Sequence, residues 1–138
     1  MFKKIFLSFL IILLSSIYSW ALEFNPGLYE ITSEIKMSGM PVSIPPQTMT
    51  ECLTNEDHVP NMDSVGQGCK IRDMKQTKNT IAWKMECTQE GHKVESECRI
   101  TYHGDTFEGT VKTKMGPETG NMNITTIITG KRIGKCNK

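Results

Sequence analysis

The sequence predicts an all-β fold: a strongly curved antiparallel meander of about seven strands approaching a barrel, with one short helix in the 54–66 excursion. Three observations predict it. Over residues 81–87, Ile81, Trp83, Met85 and Cys87 alternate with Ala82, Lys84 and Glu86, the period of two of a half-buried strand. Further on, His103-Gly104-Asp105-Thr106 is a two-residue hairpin signal. In that register Tyr102 faces Phe107, Ile100 faces Gly109 and Cys98 faces Val111, all on one face, an internal check on the pairing. Finally, clusters of Gly, Pro, Asn and Asp recur between the alternating segments, and cysteines fall near their ends. With one buried face per strand, the sheet must curl onto itself or pack on a second sheet, so a sandwich is the alternative architecture.

Residues 1–21 are expected to be a signal peptide rather than part of the fold. Lys3 and Lys4 precede an apolar run broken only by small hydroxyl residues, and Ser19-Trp20-Ala21 has the small-x-small form of a cleavage site. The run is short for a membrane span. Cleavage near Ala21 leaves a single β domain over 22–138 and removes two of the 16 basic residues and none of the 15 acidic ones. A chain this near neutrality has no electrostatic reason to prefer nucleic acid or anionic lipid. The expected compartment is periplasmic or extracellular.

Asn25-Pro26-Gly27 turns the chain into a first strand, where Tyr29, Ile31, Ile35 and Met37 oppose Glu30, Thr32, Glu34 and Lys36. The loop 38–46 holds three prolines, so it is not a central strand. Met37, Met40, Val42 and Ile44 are a candidate binding rim that either folds back over one end of the sheet or stays exposed for a partner. A short strand ends near Cys52, and Thr54-Asn55-Glu56-Asp57 reads as a capped helical turn.

Cys69 opens the next strand, in which Ile71 and Met74 share a face only if a bulge near Arg72-Asp73 adds a residue. A three-residue loop of Thr77, Lys78 and Asn79, with Asn79 left-handed, would set Cys69 opposite Cys87. Gln89-Glu90-Gly91-His92 turns into the strand holding Val94, Ser96, Cys98, Ile100 and Tyr102 on one face. Phe107, Val111 and Met115 continue that face, with Gly109 leaving room for a bend or a neighbouring ring. The last strand, rich in Thr and Ile, breaks polarity at Ile127 and Ile133, so it is expected to be covered on both sides or bulged. Trp83, Tyr102 and Phe107 are the candidate interior.

All five cysteines lie beyond the signal segment, where an oxidising compartment favours disulfides. A local Cys52–Cys69 bond is preferred, worth about 3 kcal/mol in the chain-entropy model, and Cys69–Cys87 competes with it. In a simple meander Cys87 and Cys136 are separated by three strands, so their pairing needs the tail to cross the barrel mouth. Cys98, mid-strand and inward, is the expected free thiol.

No catalytic set emerges. His58, His92 and His103 lack metal-pair spacing, and neither a Cys-x-x-Cys nor a Gly-x-Ser-x-Gly motif occurs. No cofactor and no metal site is expected. Methionine is in excess, nine in total, and thioether clusters take Cu(I). Flexible core filling is the plainer role for Met37, Met85, Met115 and Met122, which occupy inward strand positions.

Together, Pro26-Gly27-Leu28-Tyr29-Glu30, the Met/Pro-rich segment into Gln47-Thr48, Cys52-Leu53-Thr54, Gly68-Cys69-Lys70 and Asn79-Thr80-Ile81-Ala82-Trp83-Lys84 carry a resemblance. Thr101-Tyr102, Gly104-Asp105-Thr106-Phe107-Glu108-Gly109 and Gly130-Lys131-Arg132-Ile133-Gly134 with Cys136 complete it. In this order the chain resembles the bacterial family called domain of unknown function 3617. Tyr29 stands where that family often has tryptophan, and Cys98 where a small residue is usual. The resemblance implies an exported bacterial protein with four cysteines paired, Cys52, Cys69, Cys87 and Cys136, and implies no catalytic residue. The expected function is a non-enzymatic, monomeric binding module for an apolar small molecule or peptide. The alternative is a structural protein that docks on an envelope partner through loop 38–46.

Overall fold

A computed structural model describes residues 22–39, 44–57, 67–117 and 120–137. It contains seven strands: β1 (Gly27–Met37), β2 (Gln47–Leu53), β3 (Cys69–Gln76), β4 (Thr80–Gln89), β5 (His92–Tyr102), β6 (Thr106–Met115) and β7 (Asn123–Gly134). All pairings are antiparallel, in one sheet of order β2-β1-β7-β6-β5-β4-β3. The sheet is open, with β2 and β3 as its edges.

Sequence order is therefore kept from β3 to β7 and broken once. β1 pairs with β7 over Leu28 to Met37, opposite Gly134 to Ile124, which puts the first hairpin beyond the last strand. A simple meander is corrected on this point. β1 and β7 are half-buried along most of their length, as strands flanked on both sides should be. At β7, Ile127 on the polar side is half-buried, while Ile133 is 50 % exposed.

The hairpins follow their turn chemistry. Glu90 and Gly91 both have positive φ (50° and 83°) between the paired residues Gln89 and His92, the geometry that matches the twist of flanking strands. At the next turn Gly104 has φ 74° and the His103 amide donates to the Thr106 carbonyl at 2.8 Å. That fixes Tyr102 opposite Phe107, Ile100 opposite Gly109 and Cys98 opposite Val111.

The β3–β4 hairpin reaches its expected register by a different route. Gln76 pairs with Ile81, and the Thr77 amide donates to the Thr80 carbonyl at 2.8 Å, so the turn closes around Lys78 and Asn79 and is shorter by a residue than expected. A bulge between Arg72 and Lys75 restores the offset, and the left-handed residue is Asp73 (φ 53°) rather than Asn79. Cys69 consequently still faces Cys87.

After Thr54 the described residues form a turn rather than a helix. The Thr54 amide and hydroxyl both donate to Asp57 Oδ2 (2.6 and 2.7 Å), and the Asp57 amide returns to the Thr54 carbonyl at 3.2 Å. Residues 58–66, where the rest of the expected helix falls, lie outside the described residues, as do 1–21.

Two disulfides staple the sheet. Cys69–Cys87 joins β3 to β4, and Cys52–Cys136 joins the end of β2 to the tail beyond β7. The preferred local Cys52–Cys69 bond is thus not made. The β1–β7 pairing explains why: Leu28 lies between Cys52 on one side and Gly134 on the other, so the tail needs only to step across the start of β1 to reach Cys52. Cys98 is free and buried.

A candidate ligand face on the inner side of the sheet

The inner face differs between its two ends. At the end holding the β5–β6 turn, four rings close a cycle. Phe24 stacks on Tyr29 (centroids 5.7 Å), Tyr29 meets Phe107 (5.6 Å), Phe107 meets Tyr102 (5.7 Å), and Tyr102 meets Phe24 edge-on (5.3 Å). Offset and edge geometries of this kind are favourable beyond the area they bury. Ile81 joins the cluster and, like Tyr29, has no exposed surface. These two residues lie on β4 and β1, with three strands between them, so the sheet curls around a shared core.

Several backbone features make room for this plug. Phe24 forms a parallel bridge with Gly104, which brings the segment before β1 over the end of the sheet. The Tyr29 hydroxyl donates to the Asn25 carbonyl at 2.6 Å, with the Gly104 carbonyl at 3.3 Å, satisfying its polar tip. The Phe107 ring lies over Gly130, where any Cβ would fall inside the ring. Gly109, the position expected to admit a neighbouring ring, instead lies against Ile100 Cγ1, 3.2 Å from where a Cβ would be. Burial pushes the Tyr102 hydroxyl up to about 12 and the Cys98 thiol up to about 11. It also raises Tyr29, with the nearby Asp105 charge adding to the shift.

Among the described residues nothing plugs the opposite end. There one register row crosses the sheet through Ile71, Met85, Ser96, Thr113, Ile124 and Met37. Every member except the buried Ser96 is half-buried, and Ser96 is satisfied by the Thr113 hydroxyl at 2.9 Å. The next row holds Val94 opposite Met115, and the Met115 amide donates to the Met122 carbonyl at 3.0 Å. Met37, Met85, Met115 and Met122 thus gather at one end of one face, all half-buried. Methionine is the side chain best suited to an adaptable apolar surface.

Met37, the first residue of the expected rim, lies at this same end. Ser38, directly after Met37, is tied to β7: its amide donates to the Asn123 carbonyl at 3.0 Å and its hydroxyl accepts from the Asn123 amide at 3.3 Å. Ile44 is half-buried, while Met40 and Val42 lie outside the described residues. Of the candidate interior, Tyr102 and Phe107 belong to the buried cluster and Trp83 packs half-buried against it. The aromatic plug has two members outside the candidate interior: Tyr29, which alternation places on one face of the first strand, and Phe24, which sequence reasoning did not single out. The proximity of Phe24 to Gly104 has no local sequence signal.

A hollow of about 260 Å³ opens at the methionine end beside His92, Val94, Met115 and Pro117. A larger one, about 710 Å³, lies over the charged side of the sheet between Lys75, Lys84, Arg99 and Lys112. His103 sits 3.9 Å from Glu108 on an exposed turn, and His58 is outside the described residues. Among the described residues there is no group of three or more His, Cys, Asp or Glu placed to hold a metal. Among them, too, no helix is long and apolar enough to cross a membrane.

These features define a class: a one-sheet, all-β domain held by two disulfides, with one sealed and one half-open apolar end. A family model described as Protein of unknown function (DUF3617) matches residues 24–136, and the chain belongs to that family. No curated protein and no solved structure matches it.

Proposed function

We propose that this protein is an exported, non-enzymatic binding module whose inner sheet face receives an apolar small molecule or peptide at the methionine-lined end. One observation carries the reading: the same face is plugged by four rings at one end and left half-exposed and apolar at the other. Apolar surface left in water costs roughly 25 cal/mol per Å², so a lasting apolar wall points to something that covers it. Export fits two disulfides and a leader removed near Ala21.

The test is saturable binding of the uncharged fluorophore N-phenyl-1-naphthylamine, alongside native mass spectrometry of freshly purified protein. Binding should weaken at least tenfold in Met85→Glu and Met115→Glu, with the thermal transition retained. A protein that neither carries an apolar ligand nor binds the probe would refute the proposal. Docking on an envelope partner through loop 38–46 is the second reading. It is favoured by the Ser38–Asn123 hydrogen bonds that fix the loop's start to this end. Deleting 40–45 should then abolish co-purification of the partner and leave probe binding intact.

A further inference from the structure

The two edges of the open sheet are not alike. β3 carries the devices that stop a strand edge from recruiting another strand. Lys70, Arg72 and Lys75 line it, and the register breaks at the left-handed Asp73. β2 carries none of these. Its residues Gln47-Thr48-Met49-Thr50-Glu51-Cys52-Leu53 hold one charge, no lysine and no proline, and its register with β1 is continuous. Among the described residues no strand lies on its outer side. An apolar row crosses the inner face through Tyr102, Phe107, Gly130 and Ile31 and ends there on Met49, which is 55 % exposed.

We infer that β2 is a self-pairing edge: two copies of the chain join β2 to β2, antiparallel, about a two-fold axis through Met49. The occupant is a second copy because residues 47–51 read Gln-Thr-Met-Thr-Glu, a near-palindrome centred on Met49. A two-fold antiparallel pair sets residues opposite one another symmetrically about its axis. Met49 therefore faces its own counterpart, each Thr48 faces a Thr50, and each Gln47 faces a Glu51. The one charge of the strand meets an amide donor and never its like, and threonine pairs are favourable cross-strand partners. The apolar row continues from Ile31 and Met49 into the Met49 and Ile31 of the second copy. On the other face, the Thr32–Thr48 hydroxyl pair (3.0 Å) is extended by the incoming Thr50. Pro46 lacks an N–H and ends the ladder at one side, and the Cys52–Cys136 bond holds the strand end at the other. This pairing is independent of what the methionine-lined end binds.

Sedimentation velocity on the full mature chain, from low-micromolar to millimolar concentration, tests it. A concentration-dependent dimer is expected. Met49→Lys, which sets two cations against each other across the axis, should weaken association at least tenfold with no fall in Tm. Met74→Lys, an exposed methionine on the other edge (44 % exposed), should leave the dimer unchanged. Met49→Cys should form a disulfide between copies, identified by peptide mapping, whereas Thr50→Cys, facing Thr48, should not. That cross-link decides the matter if the lysine variant proves less stable. A monomer at every concentration, an equal loss in both lysine variants, or open-ended filaments in place of a dimer would overturn the inference.

Discussion

At the residue scale the core depends on an absence as much as on its rings. Gly130 faces Phe107 across the β6–β7 ladder, and the ring occupies the space a side chain would take. Gly130→Ala must push Phe107 out of the cycle it shares with Tyr29 and Tyr102. Overpacking of this kind costs about 3 kcal/mol, a fall in Tm on the order of 10 °C. Adding Phe107→Leu should recover part of the loss, because the smaller side chain vacates the contested volume. Differential scanning calorimetry of the three proteins checks this, and an unchanged Tm for Gly130→Ala would mean the ring does not pack as described. Cys98 is the converse case: a buried thiol beside Val111, held protonated by burial and remote from the oxidised pairs.

At the element scale the two disulfides do different work. Cys69–Cys87 closes a separation of 18 residues between strands that are already a hairpin, while Cys52–Cys136 spans 84. In the chain-entropy model they are worth about 3 and about 4.5 kcal/mol. Replacing Cys52 and Cys136 by alanine should therefore cost more in urea unfolding than replacing Cys69 and Cys87, and should speed amide exchange in β2, which only β1 then holds. The reverse order would contradict this account. The hairpins from β4 to β6 were legible in the sequence because each is written locally: Glu90-Gly91 and Gly104 supply positive φ, and alternation on either side supplies register. The β1–β7 contact was not, because no turn joins those strands and their Thr- and Ile-rich faces would suit several neighbours. The Cys52–Cys136 bond follows from that contact, so it was hidden with it. The gathering of Met37 with Met85, Met115 and Met122 was not legible either, because it required the strand order.

At the scale of the whole molecule, a single sheet has one small sealed core, and its titratable groups respond together. Tyr102, Tyr29 and Cys98 all have pKa values raised mainly by burial, Tyr102 to about 12 from 10.0 and Cys98 to about 11 from 9.0. Each is neutral when protonated, so the folded state keeps its protons to higher pH than the unfolded chain does. Between the unfolded and folded values the unfolded state binds fewer protons, and stability falls as pH rises. The contribution of Cys98 is intact below pH 9 and is lost between about 9 and 11, and that of Tyr102 between about 10 and 12. Urea midpoints measured from pH 7 to 11 should hold steady at first and then decline, beginning near pH 9. In Cys98→Ala the decline should start about one pH unit later, since the remaining groups with raised values, Tyr102, Tyr29 and Lys93, have unfolded values of 10.0 and 10.5. A midpoint that stayed level to pH 11, or a Cys98→Ala profile parallel to that of the parent, would show that these side chains are not buried as described, because the sign of the slope depends on the burial of each.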